Sequence, residues 1–256
     1  MKKVFIKNRK NQDLAVVIEE SENQFGLVFV MHGLGGFKEH PTVRTTADAF
    51  LSKNYTVITF DAADTLGESG GQMENATTTN YYEDLEDVIN WSKTQGFYAE
   101  PFALAGHSLG GISTALYAEK YPKKVLALAL IATVVSGKLS CGTYPKQMLE
   151  DWKKSGIRIT ESKTKPGVIK KVKWAEIEDR LKYNLLDKVE NLAMPVLLAV
   201  GEDDHTCPPE HQKILYDKLP GKKELQIIKD APHSMRESSQ LDELKKVIAN
   251  WLEAIR

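Results

Sequence analysis

Six short hydrophobic runs, rich in Val, Ile, Leu and Phe, recur along the chain and are bounded by Gly, Pro or Asp. They cover residues 25–31, 55–60, 102–105, 125–131, 195–200 and 224–228. Runs of this length and composition are typical of strands that are buried on both faces of a parallel sheet.

Stretches with apolar residues at helical spacing alternate with these runs and cover residues 42–52, 80–94, 111–120, 210–218 and 241–255. Near the start of the chain, residues 4–8 and 14–20 flank a polar turn and predict a β-hairpin. The alternation predicts an α/β fold, in which helices flank a mostly parallel central sheet.

The alternation stops over residues 136–190, a stretch too long for a plain loop. This stretch holds 13 Lys and Arg against 8 Asp and Glu, with Trp152, Trp174 and Tyr183 among them. We predict one domain over residues 1–256, with 136–190 forming a small, mainly helical cap insertion. The charges favour a solvated surface, and the aromatic residues favour anchors to the body of the domain.

The composition is that of an ordinary globular protein: 256 residues, 42% hydrophobic, 27% charged, formal net charge −1. With 34 basic and 35 acidic residues there is no field to attract nucleic acid. The two cysteines, Cys141 and Cys207, suit a reducing cytosol. Because neither a signal peptide nor a membrane span is evident, we expect a cytoplasmic protein. The hairpin or the insertion offers a surface for a homodimer, which nothing in the sequence requires.

The clearest chemical motif is Gly106-His107-Ser108-Leu109-Gly110, which follows a predicted strand and precedes a predicted helix. In such a GxSxG turn, glycines let the backbone turn sharply, and the serine is exposed at the carboxyl edge of the sheet. A second match, around Ser69, lacks the strand before it and the helix after it. Ser108 is therefore the predicted nucleophile, and Ser69 is predicted to be a loop residue.

A serine nucleophile needs a base and a carboxylate that orients the base. His233 follows the last predicted strand and precedes the last helix, which places it at the same sheet edge as Ser108. Asp203 and Asp204 both follow the strand over residues 195–200, so either qualifies, with Glu202 as a third choice. The order serine, acid, histidine along the chain is expected for this arrangement.

Donors for a developing oxyanion are predicted in His32-Gly33-Leu34-Gly35-Gly36, which follows the strand over residues 25–31. Backbone amides suit this role because they need no rearrangement as charge develops. We predict that the amides of Leu34 and Leu109 are the donors, and that Gly33 and His107 border the substrate. Taken alone, the glycine run is equally consistent with a flexible turn.

Together these motifs resemble the α/β-hydrolase family, and the resemblance covers nearly the whole chain. The glycine run is similar to the family's oxyanion loop, the turn at Ser108 to its nucleophile elbow, and the segment at His233 to its histidine loop. Gly201-x-x-Asp204-x-x-x-Pro208 is similar to the family's acid loop, and that spacing selects Asp204 over Asp203. Relatives tend to carry an aliphatic residue at the position of Cys207, so its expected role is packing.

Within that family, residues 60–71 and the compact insertion are similar to monoacylglycerol lipase-like and cinnamoyl (feruloyl) esterase-like members. Between Asp61 and Gly67 the chain departs from the Asp-x-x-Gly-x-Gly pattern that relatives often carry. Trp152 and Trp174 are candidates for lining a substrate pocket, although their favoured role is to anchor the insertion.

The resemblance implies a serine carboxylesterase that hydrolyses small to medium esters, with short acyl or hydroxycinnamoyl groups, through an acyl-enzyme. Monoacylglycerol lipase- or lysophospholipase-like, thioesterase and serine peptidase activities stay open, because these enzymes share the same catalytic groups. A hydrolase-like protein that binds a ligand without turnover is a hypothesis of a different class, against which the intact motifs argue. No metal or organic cofactor is expected.

Overall fold

The computed structural model describes residues 1–162 and 164–255. Their strands are β1 (Lys2–Lys7), β2 (Asp13–Glu19), β3 (Gly26–Met31), β4 (Tyr55–Phe60), β5 (Phe102–His107), β6 (Val125–Ile131), β7 (Ile157–Glu161), β8 (Ile169–Lys173), β9 (Val196–Asp203) and β10 (Lys223–Pro232). Their α-helices are α1 (Pro41–Leu51), α2 (Thr78–Ser92), α3 (Leu109–Lys120), α4 (Gly137–Gly142), α5 (Lys146–Ser155), α6 (Ala175–Arg180), α7 (Pro209–Lys218) and α8 (Ser238–Ala254). Short 3₁₀ turns lie at Met73–Asn75, Pro122–Lys124 and Val189–Asn191.

Of the strands in these residues, eight form one sheet in the order β1-β2-β4-β3-β5-β6-β9-β10. The β1–β2 and β2–β4 pairs are antiparallel, and every other neighbouring pair is parallel. The predicted α/β class with a mostly parallel sheet is confirmed, and the predicted hairpin is β1–β2. The carboxyl ends of β3 to β6, β9 and β10 consequently share one edge of the sheet.

The core lies on both faces of the sheet because successive strand residues point to opposite sides. In β5, Phe102 and Leu104 pack on the face that α2 and α3 cover, whereas Ala103 and Ala105 pack on the face of α1 and α8. Small side chains on the second face leave room for large ones on its helices. That face combines Ala103, Ala105, Ala127, Ala129 and Ala199 with Phe50, Trp251 and Leu252.

Residues 136–190 leave the sheet after β6 and return to it next to their starting point. Ser136 bridges Asn184, and the Gly137 amide donates a hydrogen bond to the Tyr183 carbonyl at 2.9 Å. Besides α4, α5 and α6, the segment contains an antiparallel hairpin of β7 and β8, which the prediction of a mainly helical insertion did not include. This geometry supports our proposal that the segment is a cap on a single domain.

Gly201, near the end of β9, gives a test of how closely β9 and β10 must pack. A Cβ at this position would lie 2.0 Å from the Ala231 carbonyl oxygen. We expect Gly201→Ala to lower the free energy of unfolding by about 2 kcal/mol or more, because the two backbones must separate. In thermal melts, Gly96→Ala is the control, since a Cβ there meets nothing within 4 Å. Equal melting temperatures for the two variants would show that the strands separate at little cost.

Glu119 on α3 gives a pH-dependent test of burial. Its side chain is buried, and its Oε1 has no hydrogen-bond partner among residues 1–162 and 164–255. Burial raises the pKa of Glu119 to about 8, opposed by Lys188 and aided by Asp187 and Glu190. The folded protein therefore keeps a proton that the unfolded chain loses near pH ~4.3, so stability falls as the pH rises from there to about 8.

Glu119→Gln removes this titration, so the variant should gain stability relative to the wild type as the pH rises. The quantity compared is the free energy of unfolding of the variant minus that of the wild type, measured by urea unfolding. We expect this difference to be about 1 to 3 kcal/mol larger at pH 8 than at pH 5. Glu178→Gln, a change at an exposed glutamate on α6, is the control. If the variant and the wild type differ by the same free energy of unfolding at pH 5 and pH 8, burial does not raise the pKa of Glu119.

Candidate active site

Ser108 lies in the turn between β5 and α3, with φ 56° and ψ −114°. This is a strained backbone conformation for a residue with a side chain. Hydrogen bonds hold it: the Ser108 amide donates to the Ile131 carbonyl at 2.9 Å, and its carbonyl accepts from the amides of Gly111 at 3.0 Å and Val134 at 3.2 Å. The turn thereby presents the Ser108 hydroxyl at the carboxyl edge of the sheet.

Glycines let the turn pack against its neighbours. A Cβ at Gly106 would lie 2.3 Å from the Gly110 carbonyl oxygen, and a Cβ at Gly110 would lie 2.4 Å from the His32 carbonyl oxygen. A Cβ at Gly33 would lie 2.9 Å from the Ser108 Cβ. The glycine loop after β3 therefore packs directly against the serine turn.

The structure brings Ser108, His233 and Asp204 together in one chain of hydrogen bonds. His233 Nδ1 lies 2.8 Å from Asp204 Oδ2, and His233 Nε2 lies 3.0 Å from Ser108 Oγ. A carboxylate accepts only, so Nδ1 carries the proton and Nε2 is the acceptor for the serine hydroxyl. In this tautomer His233 is placed to take a proton from Ser108.

Asp204 is fixed by its own loop. Its Oδ1 accepts hydrogen bonds from the amides of Thr206 and Cys207, both at 2.8 Å, and its side chain is fully buried. Burial alone would raise the pKa of Asp204, but the hydrogen bond and charge of His233 and the two amides outweigh it and hold the pKa below its ordinary value. Asp203, the alternative carboxylate, is exposed at the end of β9.

Two residues that line the cavity beside Ser108 carry the backbone amides that we propose as oxyanion donors. Leu34 follows Gly33 in the glycine loop, and Leu109 is the first residue of α3. Neither amide donates a hydrogen bond to any group of the described part of the chain. The amides at a helix start also carry the positive end of the helix dipole. The assignment of Leu34 and Leu109 as oxyanion donors therefore stays a prediction.

His107 contacts the backbone of His233. Its Nε2 lies 2.9 Å from the His233 carbonyl oxygen, and its ring stacks on that of His40, with centroids 5.9 Å apart. Burial, aided by the charge of His233, lowers the pKa of His107 to about 3. Burial also lowers the pKa of His40 to about 4, aided by Arg236. Both rings are therefore neutral near pH 7.

His32 anchors the glycine loop. Its Nε2 accepts a hydrogen bond from the Ala62 amide at 3.0 Å, and its Nδ1 lies 2.8 Å from the Gly33 carbonyl oxygen. Burial lowers the pKa of His32, so its ring also stays neutral. Ser69, in the second GxSxG match, lies in a loop and bonds to backbone: it donates to the Asp61 carbonyl at 2.6 Å and accepts from the Ala15 amide at 2.9 Å.

A buried lysine ties the glycine loop to the loop after β4. The Lys38 ammonium, 2% exposed, bonds to Asp61 Oδ2 at 2.8 Å and to Glu68 Oε2 at 2.5 Å. Its backbone amide donates to Asp61 Oδ1 at 2.6 Å. Sequence reasoning missed both Lys38 and His40, because their partners come from other loops and no local pattern marks them.

Ser108 opens into a cavity of about 630 Å³ at the carboxyl edge of the sheet. Gly33, His107 and Trp152, which were predicted to contact substrate, line this cavity. Trp174 is absent from the described lining and packs edge-on against Trp152, with ring centroids 5.8 Å apart. The lining also includes Leu34, His40, Met73, Leu109, Val134, Tyr144, Met148, Arg158, Thr160, Lys170, His205 and Arg236.

Trp152 also anchors the cap, because its Nε1 donates to the Val172 carbonyl at 2.9 Å. Cys207 is buried in the core near Ser108, in keeping with its expected packing role. Across residues 1–162 and 164–255, no group of three or more His, Cys, Asp or Glu is arranged to hold a metal ion. No helix of that part of the chain is long and apolar enough to span a bilayer.

Family comparison identifies the class of the protein. Residues 22–173 match the family model described as "Serine aminopeptidase, S33", and residues 173–253 match the model of acetyl xylan esterase. The chain belongs to the serine aminopeptidase S33 family. It is a serine hydrolase with the α/β-hydrolase fold, as the resemblance of its motifs implied.

Individual relatives of this S33-family protein are distant but cover most of its length. It is 24% identical over 92% of the chain to an uncharacterised 31.7 kDa protein of Escherichia coli, of which 93% is covered. It is 22% identical over 80% of the chain to a thermostable monoacylglycerol lipase of Bacillus sp. strain H-257, of which 82% is covered. Est1E of Butyrivibrio proteoclasticus, solved with ferulic acid, superposes with a TM-score of 0.82 at 16% identity, covering 98% of each chain.

Asp204→Asn tests the hydrogen-bond chain of this S33-family hydrolase. The amides of Thr206 and Cys207 would keep the asparagine oxygen, so its NH₂ would face His233 Nδ1 and move the ring proton to Nε2. In that tautomer His233 cannot accept the serine proton, and we expect kcat on a chromogenic ester to fall by about 10³ to 10⁴. Asp203→Asn, at the exposed neighbour, is the matched control. An Asp204→Asn protein within tenfold of the wild type would contradict the assignment.

Proposed function

We propose that this protein is a carboxylesterase that hydrolyses small to medium esters, with short acyl or hydroxycinnamoyl groups, through an acyl-enzyme on Ser108. The observation that carries the proposal is the continuous chain from Ser108 Oγ through His233 to the buried Asp204 carboxylate, at 3.0 and 2.8 Å. It opens into a cavity whose volume suits a small-molecule ligand.

The chemistry follows from this geometry. Ser108 Oγ attacks the ester carbonyl carbon while His233 Nε2 takes the hydroxyl proton, and the Asp204 carboxylate stabilises the resulting imidazolium. The amides of Leu34 and Leu109 hold the tetrahedral oxyanion. As the carbon–oxygen bond breaks, His233 returns the proton to the leaving alcohol. Water then repeats the sequence on the acyl-enzyme, which releases the acid and restores Ser108.

The substrate range is inferred from the walls of the cavity and from relatives. Tyr144, Met148 and Trp152 provide an apolar and aromatic wall, which suits an acyl chain or a hydroxycinnamoyl ring. The structure of Est1E with ferulic acid and the kinship with a monoacylglycerol lipase both support carboxylic esters as the substrate class. Thioesters remain the nearest alternative, because they use the same groups.

An aminopeptidase activity fits the cavity less well. Such a substrate carries a free ammonium group, which a carboxylate must bind. Among the described lining residues Glu161 is the sole carboxylate, and the basic side chains outnumber it. The charge of the cavity therefore favours esters over peptides with a free amino terminus.

We also propose a cytoplasmic location and a small-molecule ester as the principal partner. Cys141 and Cys207 are both unpaired, which suits a reducing compartment. Fractionation of cells that produce a tagged protein tests the location.

Labelling with a fluorophosphonate probe, mapped by peptide mass spectrometry, tests the nucleophile. We expect covalent modification of Ser108, since the oriented His233 activates its hydroxyl, and loss of labelling in Ser108→Ala. The same variant should lose at least about a thousandfold in turnover of short-chain, monoacylglycerol and hydroxycinnamate esters. Ser69→Ala, in the other GxSxG match, should keep the label. Absence of labelling at Ser108 in folded protein, together with tight binding of an ester that is not turned over, would favour a ligand-binding protein instead.

A further inference from the structure

The lining of the cavity carries an excess of positive charge. Four of its described lining side chains are cations, from the cap and from the loop that follows β10, and Glu161 is the single acidic one. The four cations are Arg158, Lys170, Arg180 and Arg236. The excess is local, because the whole chain has a formal net charge of −1.

The pairing of β7 and β8 aims two of these cations at the cavity. Arg158 and Thr160 lie two residues apart on β7, and Thr160 is directly opposite Lys170 on β8, so all three share one face of the hairpin. All three line the cavity. Ile159 and its partner Lys171 occupy the opposite face, where Ile159 is 60% exposed.

Arg158 has the features of a preorganised anion-binding side chain. Its guanidinium lies over the rings of Tyr144 and Trp152, 5.3 and 5.5 Å from their centroids. It is half-buried, and no carboxylate of the described residues lies within 4 Å of it. Cation–π contact with two rings restricts the side chain while leaving its fork of N–H donors free for a carboxylate or a phosphate.

Arg236 approaches the same cavity from the loop that carries His233. It donates a hydrogen bond to Thr164 Oγ1 at 2.9 Å, and it too forms no ion pair with any described residue. Among the other described charges of the lining, Arg180 is already paired and Glu161 is the single carboxylate. Arg180 is bound by Glu176 at 2.7 Å inside the cap, and Glu161 accepts a hydrogen bond from the Gly167 amide at 2.9 Å.

We infer that the cavity selects esters that carry an oxyanion group, a carboxylate or a phosphate, which Arg158 and Arg236 bind while Ser108 attacks the ester carbonyl. The inference rests on the proposed function and adds to it the charge of the substrate. Arginine suits this task because its planar fork matches both anions with two parallel hydrogen bonds. The rings of Tyr144 and Trp152 beside Arg158 provide an apolar surface for the carbon chain between the ester and the anionic group of the substrate.

Matched neutral and anionic esters test the inference. On the acyl side, kcat/KM is measured for ethyl hexanoate and for monoethyl adipate, which differ by a terminal carboxylate. On the alcohol side, it is measured for pentyl acetate, 5-acetoxypentanoate and 4-acetoxybutyl phosphate. We expect at least one anionic ester to exceed its neutral partner by about tenfold or more, and the excess to shrink with added salt. The preferred anion separates a carboxylate-bearing from a phosphate-bearing substrate.

Arg158→Gln and Arg236→Gln should each lower the anionic-to-neutral ratio of kcat/KM by about tenfold. Lys171→Gln, which removes a cation from the opposite face of the same hairpin, should keep the wild-type ratio. Binding of the preferred anionic ester to Ser108→Ala, measured by calorimetry, should weaken by a similar factor when Arg158→Gln is added. Thermal melts establish that each variant is folded.

The outcomes separate this inference from the proposed function. Ester turnover that depends on Ser108, but with neutral esters preferred and ratios unchanged in both arginine variants, would overturn the inference and leave the esterase intact. Turnover of no ester and no labelling of Ser108 would overturn both. A ratio that falls equally in Lys171→Gln would show a general effect of net charge and would also overturn the inference.

Discussion

The backbone at Ser108 is the constraint on which the rest of the site depends. A serine held at φ 56° stores about 1 to 3 kcal/mol of strain, so its surroundings must maintain it. The partners that do so are the carbonyl of Ile131 at the end of β6 and the amide of Val134 just beyond it. The strained turn is therefore held by the neighbouring strand, and it exists only when the centre of the sheet is formed.

The sheet order then decides where the remaining groups come from. From β5, the neighbour on one side is β3 with its glycine loop, and β6, β9 and β10 follow on the other side. Asp204 and His233 must therefore reach back across β6. The pairing of β10 with β9 shifts register between Ile228 and Pro232, close to where Gly201 meets Ala231. That irregularity lies at the end of β10, directly before His233.

Much of this arrangement could be predicted from sequence, because buried strands and a GxSxG turn are local patterns. The strands β4 and β6 have the predicted bounds, and the structure brings Ser108, His233 and Asp204 within hydrogen-bond distance. The sequence did not predict the β7–β8 hairpin, although apolar and polar residues alternate from Ile157 to Thr160. Both strands are largely solvent-exposed and β8 is rich in lysine, so neither resembles a buried hydrophobic run. Contacts such as that of His40 with His107 join distant loops, and no local pattern encodes them.

The cap is attached to the same loops that hold the proposed catalytic groups. Lys165 donates to the Leu66 carbonyl at 2.8 Å and lies 4.1 Å from the centroid of the Phe37 ring, next to the glycine loop. Arg236 joins Thr164 of the hairpin to the loop of His233. These contacts hold the β7–β8 hairpin against the loops on either side of Ser108. They therefore restrict the positions of Arg158 and Lys170 relative to the serine. Charge at fixed positions discriminates between substrates by geometry, whereas a diffuse positive surface would only raise the local concentration of anions.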